Sequence, residues 1–79
     1  MNNIEKYNNA FTENFPESGI ILEDSLEYNS IPEWDSIGHM TLMSGLEEEF
    51  KISIETDDIV DFSSFERGKE ILKKYKINF

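Results

Sequence analysis

Residues 34–54 read WDSIGHMTLMSGLEEEFKISI, and this stretch determines the fold class that the sequence predicts. Leu42, Leu46 and Phe50 recur every four residues, which is the spacing of one face of an α-helix. Met43 and Glu49 flank that apolar line. We therefore predict a helix over 36–50 whose apolar line faces the core.

Both ends of this predicted helix carry recognisable signals. Asp35 and Ser36 are each good N-cap residues, and the sequence does not decide between them. Beyond the helix, 51–55 alternates charged or polar with apolar side chains, which is typical of an extended connection. The helix thus has defined limits at both ends.

The same helix has a second set of residues that the core does not explain. Ile37 and Met40 lie three residues apart on a different face, where we expect them to be exposed. Glu47, Glu48 and Glu49 crowd the C-terminal end, where acidic side chains oppose the helix dipole and repel one another. These features favour a docking surface for a basic partner, although a solvated charged face is the ordinary explanation of such a run.

On the N-terminal side, the pattern predicts a first helix followed by a long ordered loop. The helix covers 3–15 and ends at Pro16, because the residue before a proline avoids the helical region. Its apolar stripe consists of Ile4, Tyr7, Phe11 and Phe15. The loop, 17–34, is rich in turn formers but too apolar for a free linker. We expect its apolar residues to hold it against the core: Ile20, Ile21, Leu22, Leu26, Tyr28 and Ile31.

The C-terminal part predicts two further helices. A short one begins at Thr56, with the acidic residues Asp57 and Asp58 in its first turn. The last one covers 64–75, and either of two serines can cap it. Its predicted buried face consists of Phe65, Gly68, Leu72 and Tyr75, with Ile71 beside it. The whole chain, 1–79, is therefore predicted to be a single all-α domain: a four-helix bundle with three longer helices, a short third helix and a long first loop.

The composition limits the possible functions. The chain has 79 residues, 17 acidic and 7 basic side chains and a net charge of −10. Such an acidic surface argues against nucleic acid and anionic membrane as partners and favours basic proteins. Cysteine is absent and there is one histidine, which excludes a thiolate metal site, a disulfide and a Cys–His nucleophile pair. No apolar run has the length of a membrane span, so we expect a cytoplasmic monomer.

Ser36 is the remaining candidate for chemistry. Nucleophilic catalysis would need His39 as base and Asp35 or Asp24 as the third member of a triad, but neighbours on one helix do not easily reach that geometry. A serine at a helix N-terminus is a favourable place for a phosphate ester, because the first-turn N–H groups and the dipole stabilise an anion. A plain N-cap role is the alternative. We expect His39 to lie on the helix surface or against the first loop, with no special role, and Trp34 to anchor the loop end against the bundle.

The stretch quoted above resembles the acyl carrier proteins. That family has Asp-Ser-Leu at the start of a helix that ends in Leu-Glu-Glu-x-Phe, followed by an Ile-x-Ile connection. The matching residues here are Trp34, Asp35, Ser36, Ile37, Leu42, Leu46, Glu47, Glu48, Glu49, Phe50, Ile52 and Ile54. The short acidic segment and the last helix also fall where the family has its third and fourth helices, so the resemblance covers nearly the whole chain.

The resemblance implies a fold, a cofactor and partners. The fold is a four-helix bundle of acyl-carrier-protein type, and the cofactor is 4′-phosphopantetheine on Ser36, next to the motif residue Asp35. The chain would be no enzyme; it would carry acyl or aminoacyl groups as thioesters on the cofactor thiol, which suits a chain without cysteine. Partners would be a phosphopantetheinyl transferase and loading or transfer enzymes with basic docking surfaces. Implied partner contacts are Ile37, Met40, Glu47, Glu48, Asp57 and Asp58, with Asp61 as an addition.

The sequence also departs from that family's pattern. Ile37 replaces the leucine after the serine, and Gly38, Thr41 and Ser44 replace residues that are acidic or large and apolar in fatty-acid carriers. These departures favour a stand-alone carrier in a specialised biosynthetic pathway. Phe50, Phe62 and Phe65 further suggest a filled core with little space for a long acyl chain. The alternative is an acidic helical adaptor without a prosthetic group, in which Ser36 only caps the helix.

Overall fold

The computed structural model describes residues 2–16, 22–23 and 25–79, and this part of the chain is all-helical. It contains four helices: α1 (Asn3–Asn14), α2 (Ser36–Phe50), α3 (Thr56–Asp61) and α4 (Phe65–Lys73). The described residues form no strand, and a single isolated antiparallel bridge joins the first loop to the start of α4. Three longer helices and a short third one agree with the prediction and are compatible with a small helical bundle.

Three of the four helices begin with a side-chain cap. Asn2, Asp35 and Ser64 each accept a hydrogen bond from the backbone N–H three residues further on, at 2.8–2.9 Å. The sequence left the cap of α2 open between Asp35 and Ser36, and the structure places it on Asp35. Likewise Ser64, and not Ser63, caps α4. The cap of α3 has no side-chain hydrogen bond.

The predicted helix ends need small corrections. α1 ends at Asn14, one residue before the predicted end, and α4 ends at Lys73, two residues before it. After α4, the backbone N–H groups of residues 74–76 donate to carbonyls only three residues earlier, and Lys76 then has a positive φ of 66°. Such bonds tighten a last helical turn and stop it from continuing. α2 ends as predicted, where Lys51 takes the left-handed conformation with φ 55°.

The core is built from aromatic rings that α1, the first loop and the α4 region contribute. Trp34 is fully buried, as predicted, and its ring centroid lies 5.4 Å from that of Phe11 and 5.8 Å from that of Phe15. The Tyr7 hydroxyl, also fully buried, donates to the Phe65 carbonyl at 2.6 Å. The apolar line of α2 faces this core, with Leu42, Met43 and Leu46 buried and Phe50 half-buried.

The first loop is held to the core as predicted, with one exception. Leu26 is buried, and Leu22 and Ile31 are half-buried against the core. Tyr28 is 37% exposed, so its predicted anchoring role is wrong; its ring lies at the surface, edge-on to the His39 ring. At Tyr28 the loop is instead held through its backbone, because the Tyr28 N–H donates to the Ser63 carbonyl at 2.9 Å. Ile20 and Ile21 lie outside the described residues.

None of the helices in the described ranges is long and apolar enough to cross a membrane.

Candidate functional site

Ser36 is the first residue of α2, and its side chain is exposed. Because the Asp35 carboxylate caps the helix, the Ser36 hydroxyl is not needed to hold the helix start. No described residue forms a hydrogen bond with that hydroxyl. The oxygen is thus accessible at a helix N-terminus, which is the placement that a modified serine requires.

Gly38 allows the end of the first loop to lie directly against the first turn of α2. A Cβ atom at this position would fall well inside contact distance of the Glu33 carbonyl oxygen and 3.2 Å from the Phe15 ring. Backbone cannot move aside as a flexible side chain can, so the close approach requires a glycine. This contact gives a structural reason for the glycine at position 38.

His39 connects three parts of the structure. The Trp34 indole N–H donates to its Nδ1 at 2.9 Å, and its Nε2 lies 2.8 Å from the Ile59 carbonyl oxygen. An indole N–H can only donate, so Nδ1 is the acceptor and Nε2 carries the hydrogen that is donated to Ile59. The hydrogen bond to Trp34 confirms that His39 lies against the first loop, but the prediction missed the hydrogen bond to Ile59, by which the ring also joins α2 to α3.

A groove of about 370 Å³ opens between α2, α3 and the first loop, and Ser36 lies on its wall. Apolar side chains dominate its surface, and none of the described lining residues is an aspartate, glutamate, lysine or arginine. The lining residues are Tyr28, Ser36, His39, Met40, Ile59, Val60, Phe62 and Ser63. On a chain of net charge −10, the groove is thus a neutral and mainly apolar surface beside an accessible hydroxyl.

Exposed apolar side chains surround Ser36. Ile37 is 78% and Met40 is 53% exposed, which confirms the prediction that they point away from the core. Val60 on α3, at 79% exposure, adds a third apolar residue that the sequence interpretation missed. A helix of six residues is too short for periodicity to separate its exposed from its buried positions.

The acidic residues at the end of α2 differ in their surroundings. Glu48 is exposed, whereas Glu47 is half-buried and its Oε2 accepts a hydrogen bond from the Ile54 N–H at 2.8 Å. Glu47 therefore holds the connection that follows α2. Of the predicted partner contacts on this end of α2, Glu48 is the one whose side chain makes no described contact with the chain itself.

Asp58 does not belong to an open acidic surface, which corrects its predicted placement. It is buried, and its carboxylate accepts hydrogen bonds from Lys74 Nζ and the Tyr75 hydroxyl, each at 2.5 Å. The Lys74 hydrogen bond, followed by that of Tyr75, lowers the pKa of Asp58. Asp61 likewise pairs with Arg67 of α4, while Asp57 is exposed. Two of the three aspartates of α3 thus connect it to the α4 region.

The described residues contain no group of three or more histidine, cysteine or acidic side chains placed to bind a metal ion. Both ring nitrogens of His39 are engaged, one with Trp34 and the other with Ile59, and no described hydrogen bond joins His39 to Ser36. The chemistry that the geometry offers is thus an accessible hydroxyl next to an apolar groove.

Comparisons with protein-family models, with curated proteins and with solved structures gave no match. The function is therefore inferred from the residues and geometry described above.

Proposed function

We propose that the chain is a carrier protein of acyl-carrier-protein type, with 4′-phosphopantetheine attached to Ser36. The observation that carries the proposal is the accessible, unbonded hydroxyl of Ser36 at the start of α2, beside an apolar groove. The motif residues on both sides of Ser36 and the order of three longer helices and one short helix support it. In this function the chain itself is not an enzyme.

The residues around Ser36 fit such a group. Asp35 satisfies the first turn of α2, so attachment to the Ser36 hydroxyl breaks no described hydrogen bond. When bound, the cofactor supplies a thiol that carries an acyl or aminoacyl group as a thioester, which is a chemistry that a chain without cysteine lacks. The groove beside Ser36 offers apolar surface in which an attached group can be shielded from water.

Exposed residues along α2 and at the start of α3 support a docking role towards basic partner enzymes, including the phosphopantetheinyl transferase. Ile37 and Met40 supply apolar contact area, and Glu48 and Asp57 supply accessible negative charge. The cargo belongs to a specialised biosynthetic pathway in this proposal, as the departures from the fatty-acid carriers suggest.

The test is enzymatic loading followed by intact-mass measurement. With coenzyme A and a phosphopantetheinyl transferase, the Ser36 oxygen forms a new P–O bond while the pyrophosphate P–O bond of coenzyme A breaks, releasing 3′,5′-ADP and a proton. We expect one phosphopantetheine adduct per chain on the wild type and none on Ser36→Ala. The substitution should leave the fold intact, because Asp35 and not Ser36 caps α2.

Ser44→Ala is the matched control, since Ser44 is another exposed serine of α2. This variant should be loaded like the wild type. An adduct that persists on Ser36→Ala, or its absence from the wild type with a transferase that loads a reference carrier, would overturn the proposal.

The adaptor hypothesis uses the same exposed apolar and acidic residues without a cofactor. It assumed that Ser36 serves as the helix cap, and the cap is Asp35. Ser36→Asp separates the two hypotheses: an adaptor keeps its partner binding, whereas a carrier loses its attachment point. Detecting the same partner complex with Ser36→Asp and with the wild type would favour the adaptor.

A further inference from the structure

His39 is the one histidine of the chain, and its ring is held by hydrogen bonds at both nitrogens. Nδ1 accepts from the Trp34 indole N–H at 2.9 Å, and Nε2 lies 2.8 Å from the Ile59 carbonyl oxygen. An indole N–H can only donate and a carbonyl oxygen can only accept, so Nδ1 must be free of hydrogen and Nε2 must carry one. The neutral ring with its hydrogen on Nε2 is the one form that makes both bonds.

A second proton on this ring finds no acceptor. It would bind Nδ1 and face the Trp34 N–H, so that two donors would meet across 2.9 Å. Trp34 has no room to move, because it is fully buried and its ring lies against those of Phe11 and Phe15. The half-buried His39 ring on the groove wall is therefore the partner that moves. Its Nε2 then also leaves the Ile59 carbonyl, because both nitrogens belong to one rigid ring.

The described surroundings of His39 offer no negative charge that would hold a protonated ring in place. The side chains in ring contact with it are those of Tyr28, Trp34 and Phe62, and of these three the Tyr28 phenol is the titratable one. On α2 itself, the nearby carboxylate of Asp35 is engaged as the helix cap. No ion pair between described residues joins His39 to a carboxylate.

The short helix α3 is attached to its two neighbours by different kinds of bond. On the side of α4, Asp58 and Asp61 form ion pairs with basic residues of the α4 region, while Asp57 is exposed. On the side of α2, the bond from His39 to Ile59 is the one hydrogen bond between described residues of the two helices. The attachment of α3 to α2 therefore depends on the state of a single imidazole ring.

We propose that His39 is a proton-sensitive latch: the neutral ring joins α3 and the first loop to α2, and protonation releases α3 from α2. Histidine is the side chain that ordinarily changes its charge in mild acid, so the latch responds under mild conditions. Its opening changes the surface beside Ser36, because Ser36, His39 and Val60 line the same groove. The latch is a property of the folded chain itself and does not depend on what Ser36 carries.

The first experiment compares the melting temperatures of the unloaded wild type and His39→Gln between about pH 5 and 8. The glutamine amide has an oxygen that can accept from Trp34 and an N–H that can donate to Ile59, but it takes up no proton. Salt at about 0.3 M screens the general negative field of a chain with net charge −10. Asp58 stays ionised throughout, because its pKa lies below 3.8.

We expect the melting temperature of the wild type to fall by about 4–8 °C relative to that of His39→Gln as the pH decreases over this range, which corresponds to the loss of one hydrogen bond. The two bonds of the ring stabilise the fold while it is neutral, so the loss accompanies protonation. Tyr28→Phe is the matched control, since it removes the other titratable group in ring contact; it should keep the pH dependence of the wild type. A constant difference between wild type and His39→Gln would refute the latch.

Nuclear magnetic resonance of the wild type keeps the test decisive if His39→Gln does not fold. The chain has one histidine and one tryptophan, so the imidazole nitrogens and the indole N–H give signals of unambiguous origin. At the alkaline end of the range, the imidazole shifts should show the hydrogen on Nε2. On acidification, the Trp34 indole and α3 amide signals should shift in step with the imidazole signals, and the α1 amide signals should shift less. A hydrogen on Nδ1, or protonation that leaves the Trp34 and α3 signals unchanged, would overturn the inference.

Discussion

The carboxylate of Asp58 stabilises the packing of the helices, although its sequence context suggests a residue on the surface. It follows Asp57 in a short acidic helix, which predicts two solvated side chains. In the structure one of them is exposed, whereas Asp58 is buried with Lys74 and Tyr75 as hydrogen-bond donors. Lys74 and Tyr75 lie 16 and 17 residues from Asp58 along the chain, so these are tertiary contacts that no local pattern encodes.

Asp58 should make the stability of the fold depend on acid pH. Its pKa in the folded state lies below the ordinary value of 3.8, because Lys74 and Tyr75 donate hydrogen bonds to the ionised form. The contribution is therefore fully present above about pH 4 and is lost as the pH falls through the lowered folded value. We expect Asp58→Asn to reduce the free energy of unfolding at neutral pH by on the order of 1 kcal/mol.

Urea denaturation of both proteins between neutral and strongly acidic pH measures this contribution. The difference between wild type and Asp58→Asn should shrink towards acid pH. Asp57→Asn is the control, since Asp57 is exposed on the same helix turn, and its stability should follow that of the wild type. A constant difference at all pH values would show that the ionisation of Asp58 is not involved.

Other residues of the site could be predicted because local rules govern them. Ile37 and Met40 are exposed because helix geometry places them away from the line of Leu42 and Leu46. The bridge by His39 could not be predicted, because it depends on where α3 is placed. The pairing of Trp34 with His39 is local in sequence, but a single sequence does not distinguish such a pair from chance.

At the scale of elements, close packing of the helices depends on glycines. A Cβ atom at Gly68 of α4 would fall inside contact distance of both the Phe62 ring and the Tyr7 hydroxyl, which are buried. At Gly45 of α2 the nearest atom would be Nδ2 of Asn14, at 2.6 Å, which is the end of a flexible side chain on α1. The same substitution therefore has different consequences on the two helices.

We expect Gly68→Ala to destabilise the chain by about 1–3 kcal/mol, because two buried side chains must move and the Tyr7 hydrogen bond to Phe65 is disturbed. Gly45→Ala should change stability by less than about 1 kcal/mol, since the gain in helix propensity offsets the movement of Asn14. Thermal or chemical denaturation monitored by circular dichroism gives both values. Equal effects of the two substitutions would contradict the described packing of α4.

The exposed acidic end of α2 provides a test of electrostatic docking. Glu48→Lys reverses an accessible charge without breaking a described contact, whereas a change at Glu47 would also remove its bond to Ile54. We expect Glu48→Lys to lower kcat/KM for loading by the phosphopantetheinyl transferase at low salt by roughly 2–5-fold, the size of an exposed ion pair. High salt should reduce the difference.

Glu13→Lys is the matched control for this measurement. Glu13 is exposed on a different helix, α1, and its substitution by lysine makes the same change of charge. If Glu13→Lys slows loading as much as Glu48→Lys, net charge rather than the end of α2 determines the effect.

For the molecule as a whole, the sequence predicts the number and order of the helices better than the contacts between them. Periodicity, the proline and the capping residues determine where helices begin and end, and these signals are local. The aromatic core and the α3–α4 connection are non-local, so single residues such as Tyr28 and Asp58 were misplaced by local reasoning. The accessibility of Ser36 depends on a local contact and on a packing contact: Asp35 caps α2, and the end of the first loop packs against the first turn of that helix.

Trp34 gives the molecule an optical probe of its own. It is the one tryptophan of the 79 residues, and its indole is buried, hydrogen-bonded to His39 and nearly coplanar with that ring, at an interplanar angle of 15°. Its ultraviolet emission therefore comes from a single environment directly behind the groove wall. The wavelength and intensity of this tryptophan fluorescence can therefore report occupancy of the groove and movement of α3 in solution, without any attached dye.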